Sequence, residues 1–156
     1  MSQRTYEEFQ GDLILAATEC AIPIVHCINA DCRLGAGIAR AIEQRWHIAR
    51  ELLALHPRVG AVIPISRQLP DTGQILWIFN LVTKQSPHDK PTYEIMQTTL
   101  IELRKLCTSG KYPCDIIGMP RIGCGLDCLD WKVVRRIIQE TFNITYTTTF
   151  VRVYIL

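Results

Sequence analysis

Two apolar, β-branched runs in this chain each end in a glycine-rich loop, and that arrangement constrains the fold more than any other feature. Ile22–Ile28 precedes Arg33-Leu34-Gly35-Ala36-Gly37-Ile38-Ala39, and Ile116–Met119 precedes Arg121-Ile122-Gly123-Cys124-Gly125-Leu126-Asp127. The first loop runs directly into a helix-like stretch; the second does so after a few residues. Glycine lets the backbone turn tightly and approach a ligand with its N–H groups pointing inward. A helix N-terminus behind such a loop adds a dipole that favours an anion. Two loops of this kind on one small domain point to a ligand whose diphosphate is gripped from both sides.

The remaining segments alternate in the same way. Strand-like stretches fall at about Thr5–Phe9, Ile22–Ile28, Ala61–Ile65, Ile75–Thr83, Asp115–Met119 and Thr148–Ile155. Tyr93, Met96, Leu100, Leu103 and Cys107 recur at helical spacing, with Thr92 as N-cap behind Pro91. Asp130 caps a second helix whose Val134, Ile137 and Ile138 share a face, and Ile38–Leu55 reads as one or two more, closed by Pro57. Pro64, Pro70, Asp71 and Gly73 mark turns around a hairpin. The pattern is that of an α/β domain: a mixed sheet with helices on both faces. In such sheets ligands sit at the carboxyl ends of strands, which brings both glycine loops, Lys84 and Asp127 to one edge.

Composition excludes several classes. At 156 residues, with 48% hydrophobic and 21% charged residues, the chain suits one compact domain rather than a disordered polymer. A formal charge of +2, without a basic stripe, gives no electrostatic footprint for nucleic acid. Apolar runs such as Ile75–Phe79 are far too short for a membrane span. Met1-Ser2-Gln3-Arg4 opens no signal peptide, so an intracellular address, cytoplasmic or nuclear, is expected. The seven cysteines are odd in number and form no Cys-x-x-Cys pair, which reads as reduced core thiols rather than disulfides or a zinc site. Cys124 stands apart because it lies in a ligand loop, yet the sequence nominates no histidine base for it.

Two familiar nucleotide motifs fail letter by letter. The dinucleotide fingerprint Gly-x-Gly-x-x-Gly/Ala would need a small residue where Arg40 follows Gly35 and where Cys128 follows Gly123. Neither loop carries the Gly-Lys-Ser/Thr of a Walker loop.

The chain resembles the macrodomains that bind and process ADP-ribose, and within them the terminal ADP-ribose protein glycohydrolase branch, which also deacylates O-acetyl-ADP-ribose. The matching text is Gly11-Asp12-Leu13, the stretch from His26 to Ala39, Leu81-Val82-Thr83-Lys84, Lys90-Pro91-Thr92-Tyr93-Glu94, the stretch from Met119 to Asp127, and a terminal Val153-Tyr154-Ile155-Leu156. It covers almost the whole chain in order, with Ala61–Trp77 matching poorly. The resemblance implies a three-layer α/β/α macrodomain with a central mixed β-sheet, residues 1–156 forming a single macrodomain.

The resemblance also implies roles. Asp12, with the Leu13 backbone, holds the adenine, and Leu156 contributes on the same side. Gly35, Ala36, Gly37, Ile38 and Ala39, with Arg121, Ile122, Gly123, Cys124, Gly125 and Leu126, bind the diphosphate and distal ribose, and Asn29, Thr83 and Pro120 are further substrate-binding residues. Lys84 matches the nucleophilic lysine and Asp127 the acid/base carboxylate. Asn29 departs from the serine often found in this branch, which bears on substrate preference rather than on ADP-ribose binding. The implied ligand and substrates are ADP-ribose, ADP-ribosylated proteins and O-acetyl-ADP-ribose, with nucleic acid entering only as a modified substrate. Neither a metal nor a cofactor is called for, and a monomer without membrane attachment is expected.

Elementary chemistry supports Lys84 independently. An ammonium is no nucleophile, and desolvation favours the neutral amine. A lysine ending the apolar run Ile75–Thr83 is therefore suited to attack the anomeric carbon of a ring-opened ribose, with Asp127 moving protons. The plainer readings are a solvated lysine at a strand end, Asp127 as a helix cap and Asp12 as a turn residue. His26 reads as a hydrogen-bonded core histidine, Trp46, Trp77 and Trp131 as packing, and His88 as a loop residue without a role. Three function classes follow: a hydrolase of acyl-linked ADP-ribose, with phosphate- or base-linked ADP-ribose as related substrates; a non-catalytic reader; and a structural interaction domain. The last leaves the two glycine loops unexplained.

Overall fold

The computed structural model describes residues 5–156, so the reading of Met1–Arg4 lies outside the described residues. Six strands form one sheet: β1 (Tyr6–Gln10), β2 (Ile24–Asn29), β3 (Val62–Gln68), β4 (Ile75–Lys84), β5 (Ile116–Met119) and β6 (Phe150–Ile155). Their order across the sheet is β1-β6-β5-β2-β4-β3, with β3 antiparallel to β4 and every other pairing parallel. Five strands therefore end on one edge, which is the edge that carries the glycine loops.

The helices are α1 (Leu13–Cys20), α2 (Gly37–Trp46), α3 (Ala49–Ala54), α4 (Tyr93–Thr108) and α5 (Trp131–Phe142). Alternate side chains of the central strands feed two cores. Ile24, Ile28, Ile78 and Val82 pack with Leu13, Ala17, Ile42 and Leu52 on one face of the sheet. Val25, Phe79 and Leu81 pack with Met96, Leu100, Val134 and Ile138 on the other. Covering both faces explains why β4 is apolar almost throughout. The fold is the α/β/α sandwich expected from the sequence.

Several local readings hold. Thr92 caps α4 by accepting from the Ile95 N–H at 3.1 Å, and Asp130 caps α5 by accepting from the Lys132 N–H at 2.9 Å. The Ile38–Leu55 stretch is two helices, parted at His47, which adopts φ +52°. Two readings need correction. Pro64 is no turn residue: it sits inside β3 opposite Phe79, tolerated because β3 is an edge strand and needs no ladder bond from that position on its outer side. Helix α1 was not anticipated. Its sequence, LILAATEC, carries a continuous apolar run rather than a 3.6-residue alternation, so no amphipathic period marks it.

Candidate active site

The parallel strand ends set the site's dimensions. Gln10 of β1 lies beside Ile155 of β6, Met119 of β5 beside Val153, and Asn29 of β2 beside Lys84 of β4. Crossing from β1 to β4 spans four inter-strand steps, roughly 19 Å at the usual strand spacing. Asp12 and Leu156 stand at the β1/β6 end of this line, and Lys84 stands at the other. Between them β2 meets β5 only at Ile24 and Gly118 and runs on to Asn29 after β5 has left the sheet. The loop after β5, residues 120–129, starts at that point.

Asp12 is a helix cap, not a turn residue. Its Oδ1 accepts from the Ile14 and Leu15 N–H groups at 2.9 and 3.3 Å, which fixes the start of α1 beside the sheet edge. Leu13 is the first residue of α1, with its side chain buried in the core. Leu156 follows β6 and is 92% exposed.

The first glycine loop leads into α2 without a side-chain cap. Ala36 occupies the cap position in extended conformation, and among the described residues no side chain satisfies the first N–H groups of Gly37, Ile38 and Ala39. Gly37 adopts φ +56°, a left-handed conformation that a residue with a Cβ adopts at a cost. A Cβ at Gly35 would meet nothing within 4 Å, so this loop faces open space. An uncapped ten-residue helix opening onto space beside the strand ends is an anion-accepting arrangement.

The second loop is anchored at its base and open at its tip. Ile122 is buried, and the Leu129 N–H donates to the Gly123 carbonyl at 2.8 Å. Gly123 has φ +75°, and a Cβ there would stand 2.8 Å from Met96 Cε and 2.9 Å from Leu129 Cδ1. The tip is free of such crowding: Gly125 has open space around it and Leu126 is 77% exposed. Pro120 is half-buried where the chain leaves β5, and the exposed Arg121 lies over the Trp131 ring, 5.8 Å from its centroid.

Lys84 and Asp127 form an ion pair, Nζ to Oδ1, across 43 residues of chain. Their side chains are only 11% and 16% exposed. Thr83, one residue earlier, is buried, and Asn29 is half-buried where a register shift after Ile28 sets it beside Lys84. Asp127 thus serves as the lysine's partner, and the cap of α5 is Asp130.

The neighbouring thiols are protonated. Burial pushes Cys27 up to about 12, with the Asp127 carboxylate adding to the effect. Burial likewise pushes Cys124 up to about 11, opposed in part by Arg121. Neither is a thiolate nucleophile near neutral pH. All seven cysteines are free. Among the described residues, no group of three or more His, Cys, Asp or Glu side chains gathers as a metal site, and no helix is long and apolar enough to cross a membrane. Two open clefts of about 490 and 480 Å³ lie elsewhere, one lined by Cys20, Pro23, Ile75 and Pro113 and the other by Thr18, Trp46, Arg67 and Pro70. Neither contains a residue of the Lys84 edge.

No protein-family model matches the chain. Known proteins do match it. It is 38% identical over 122 residues to a Homo sapiens protein named ADP-ribose glycohydrolase OARD1, covering 78% of this chain and 75% of that one. The Bos taurus protein of the same name is 39% identical over the same span. The macrodomain of Mycobacterium tuberculosis DarG superposes with a TM-score of 0.81 at 19% identity, over 97% of this chain and 98% of that one. The chain belongs to the macrodomain family. Another solved neighbour, Thermosipho africanus DarTG in complex with ADP-ribose, has a TM-score of 0.76 at 16% identity and covers 99% of this chain and 42% of that one.

Sequence reasoning nominated both halves of the Lys84–Asp127 pair but named no group that holds the second loop in place. Those groups are Lys90, whose Nζ donates to the Leu126 carbonyl at 3.1 Å, and Tyr93, whose hydroxyl accepts from the Asp130 N–H at 3.0 Å. Both lie within the Lys90-Pro91-Thr92-Tyr93-Glu94 segment already singled out as macrodomain-like. That motif was the available signal.

Proposed function

We propose that this macrodomain is a hydrolase that binds ADP-ribose along the strand-end edge and releases it from acyl-linked substrates: ADP-ribosylated glutamate or aspartate on proteins, and O-acetyl-ADP-ribose. The observation that carries the reading is the Lys84–Asp127 pair, largely withdrawn from water at one end of an elongated, two-loop anion site. Binding a diphosphate needs neither residue. The curated relatives named ADP-ribose glycohydrolase support the same activity class, and the neighbour solved with ADP-ribose supports the ligand.

In this reading adenine sits at the Asp12, Leu13 and Leu156 end. The diphosphate lies between the uncapped start of α2 and the second glycine loop, and the distal ribose reaches Lys84. Direct contact lets Asp127 take a proton from the Lys84 ammonium, leaving a neutral amine and a carboxylic acid. Asp127 passes that proton to O4″ as the C1″–O4″ bond breaks and the ring opens. The amine nitrogen then bonds to C1″, sheds a proton, and its lone pair forms the C=N bond as the C1″–O bond to the acyl group breaks. The departing carboxylate leaves with the bonding pair, and the resulting Schiff base is hydrolysed by water to free ADP-ribose and the lysine. Asp127 takes up the proton shed by the adding amine and gives it to water once the lysine is released.

The deciding experiment incubates the protein with glutamate-linked ADP-ribosylated protein and measures released ADP-ribose. Wild type is expected to release it. Lys84→Ala is expected to lose turnover while calorimetric affinity for ADP-ribose stays largely intact. Asp127→Ala is expected to accumulate a lysine adduct that borohydride reduction and intact-mass spectrometry detect. Near-full turnover by Lys84→Ala refutes the covalent route. A wild-type protein that binds ADP-ribose but releases none from the ester is a reader.

A further inference from the structure

The tip of the second glycine loop, open around Gly125 and Leu126, carries Asp127. Inside the loop, the Leu129–Gly123 bond closes the base and the Cys128 N–H donates to the Gly125 carbonyl at 3.1 Å. Gly125 and the Leu126 side chain have open surroundings. Among the described residues, the group outside the loop that holds its tip backbone is Lys90, through the Leu126 carbonyl. That carbonyl belongs to the peptide joining Leu126 to Asp127. At the far end of the segment, Tyr93 holds the Asp130 N–H.

Lys90 itself stands on a braced turn. Asp89 Oδ2 accepts from the Ser86 N–H at 3.1 Å and the Ser86 hydroxyl at 3.2 Å, and the Asp89 N–H donates to the Ser86 carbonyl. On its other side Pro91 is buried, and Thr92 caps α4. The turn follows directly from Lys84 at the end of β4. One short stretch, residues 84–93, therefore carries the nucleophilic lysine and also fixes both ends of the segment bearing its acid/base partner.

We infer that Lys90 and Tyr93 form a two-point latch that positions Asp127 against Lys84, with Lys90 as the principal positioning residue. The inference rests on the proposed hydrolase reading for its kinetic consequence, but the latch itself is a property of the loop. Lys90 donates to a carbonyl through a charged ammonium, the stronger kind of hydrogen bond, while the Tyr93 contact is neutral. Removing the Lys90 donor frees the Leu126–Asp127 peptide without touching the glycine loop N–H groups. It should therefore weaken proton transfer between Asp127 and Lys84 more than it weakens ligand binding. Since misplacement of about 1 Å can cost a hundredfold in rate, Lys90→Met should lower kcat by roughly ten- to a hundredfold while KM changes by less than about threefold. Lys90→Arg keeps a charged donor and should recover most of that loss. Tyr93→Phe should lower kcat less, and the double variant should show less than the product of the single effects, because both act on one segment.

The test pairs kinetics with hydrogen exchange on the full chain. Exchange in residues 124–130 is measured by mass spectrometry in wild type, Lys90→Met and Lys90→Arg, without ligand. The latch requires faster exchange there in Lys90→Met than in the other two, with the rest of the chain unchanged; equal rates in all three overturn it. Steady-state release of ADP-ribose from the ester is measured in parallel. A loss confined to kcat and restored by arginine supports the positioning role. A raised KM with unchanged kcat overturns it and makes Lys90 a substrate contact. If wild type releases nothing, the hydrolase reading falls, and the exchange result still decides the latch.

Discussion

His26 offers a stability prediction whose size follows from the structure. It lies fully buried on β2 opposite Asn80 of β4, with its Nε2 2.5 Å from Asn80 Oδ1. Asn80 Nδ2 donates to the Ile63 and Ile78 carbonyls, so Oδ1 is the acceptor and Nε2 carries the imidazole proton. Nδ1 then has no partner among the described residues. Protonating it would bury a charge and a second N–H with nothing to receive it. Burial accordingly pushes His26 down from 6.5 to about 4, opposed only by the Asn80 bond.

The sign follows from proton counts. Between the two pKa values the unfolded chain binds a proton that the folded chain does not, so stability is full above about pH 6.5 and falls as the pH drops toward 4. Linkage over this gap gives a loss of about 2 kcal/mol at about pH 5 and about 3 kcal/mol once the pH is below both values. With a urea slope of about 2 kcal/mol per molar, the step from about pH 7.5 to about pH 5 should lower the midpoint by roughly 1 M through this residue alone. His26→Gln retains an amide donor for Asn80 and has no titration, so subtracting its curve from wild type isolates the effect. Urea titrations followed by circular dichroism at several pH values provide the measurement. Stability differences between wild type and variant that stay constant from about pH 7.5 to about pH 5 would refute the buried neutral histidine.

Two further outcomes are specific to other residues. Asp12→Ala removes both cap bonds of α1 and should cost about 1 kcal/mol of stability in the same titration. Asp12→Asn keeps an acceptor for the cap, so it should leave stability nearly unchanged yet weaken ADP-ribose binding by about 1–3 kcal/mol in calorimetry. Equal affinity in Asp12→Asn and wild type leaves the residue as a cap alone. Brief alkylation near neutral pH, read by peptide mass spectrometry, should modify the exposed Cys20 and Cys128 while sparing Cys27 and Cys124, whose thiols burial pushes up to about 12 and about 11. Early labelling of Cys27 would mean that its thiol is more reactive than its burial-raised pKa allows.

Much of the architecture was written in short windows of sequence. The caps at Thr92 and Asp130, the helical spacing of Met96, Leu100 and Leu103, and the apolar run ending at Lys84 are signals a dozen residues long, and each appears in the fold as read. The two glycine loops are equally local: Gly37 and Gly123 take left-handed angles that only a glycine adopts freely, so their letters already imply the turns. Helix α1 escaped because its apolar residues surround the helix instead of marking one face. Pro64 misled because a proline's meaning depends on whether its strand lies at an edge, and strand order is not a local property.

The sequence by itself marked the alternation of elements, the two glycine loops and, through its macrodomain resemblance, Lys84 and Asp127 as a candidate pair. Only the tertiary structure decided how those parts meet. The fit of Asp127 against Lys84, the bond from Lys90 to Leu126 and the contact of His26 with Asn80 span 43, 36 and 54 residues of chain. Each depends on which strands lie side by side and how their registers align. Propensity, capping and periodicity act over one turn or one strand, whereas strand order is chosen by the burial of both sheet faces at once.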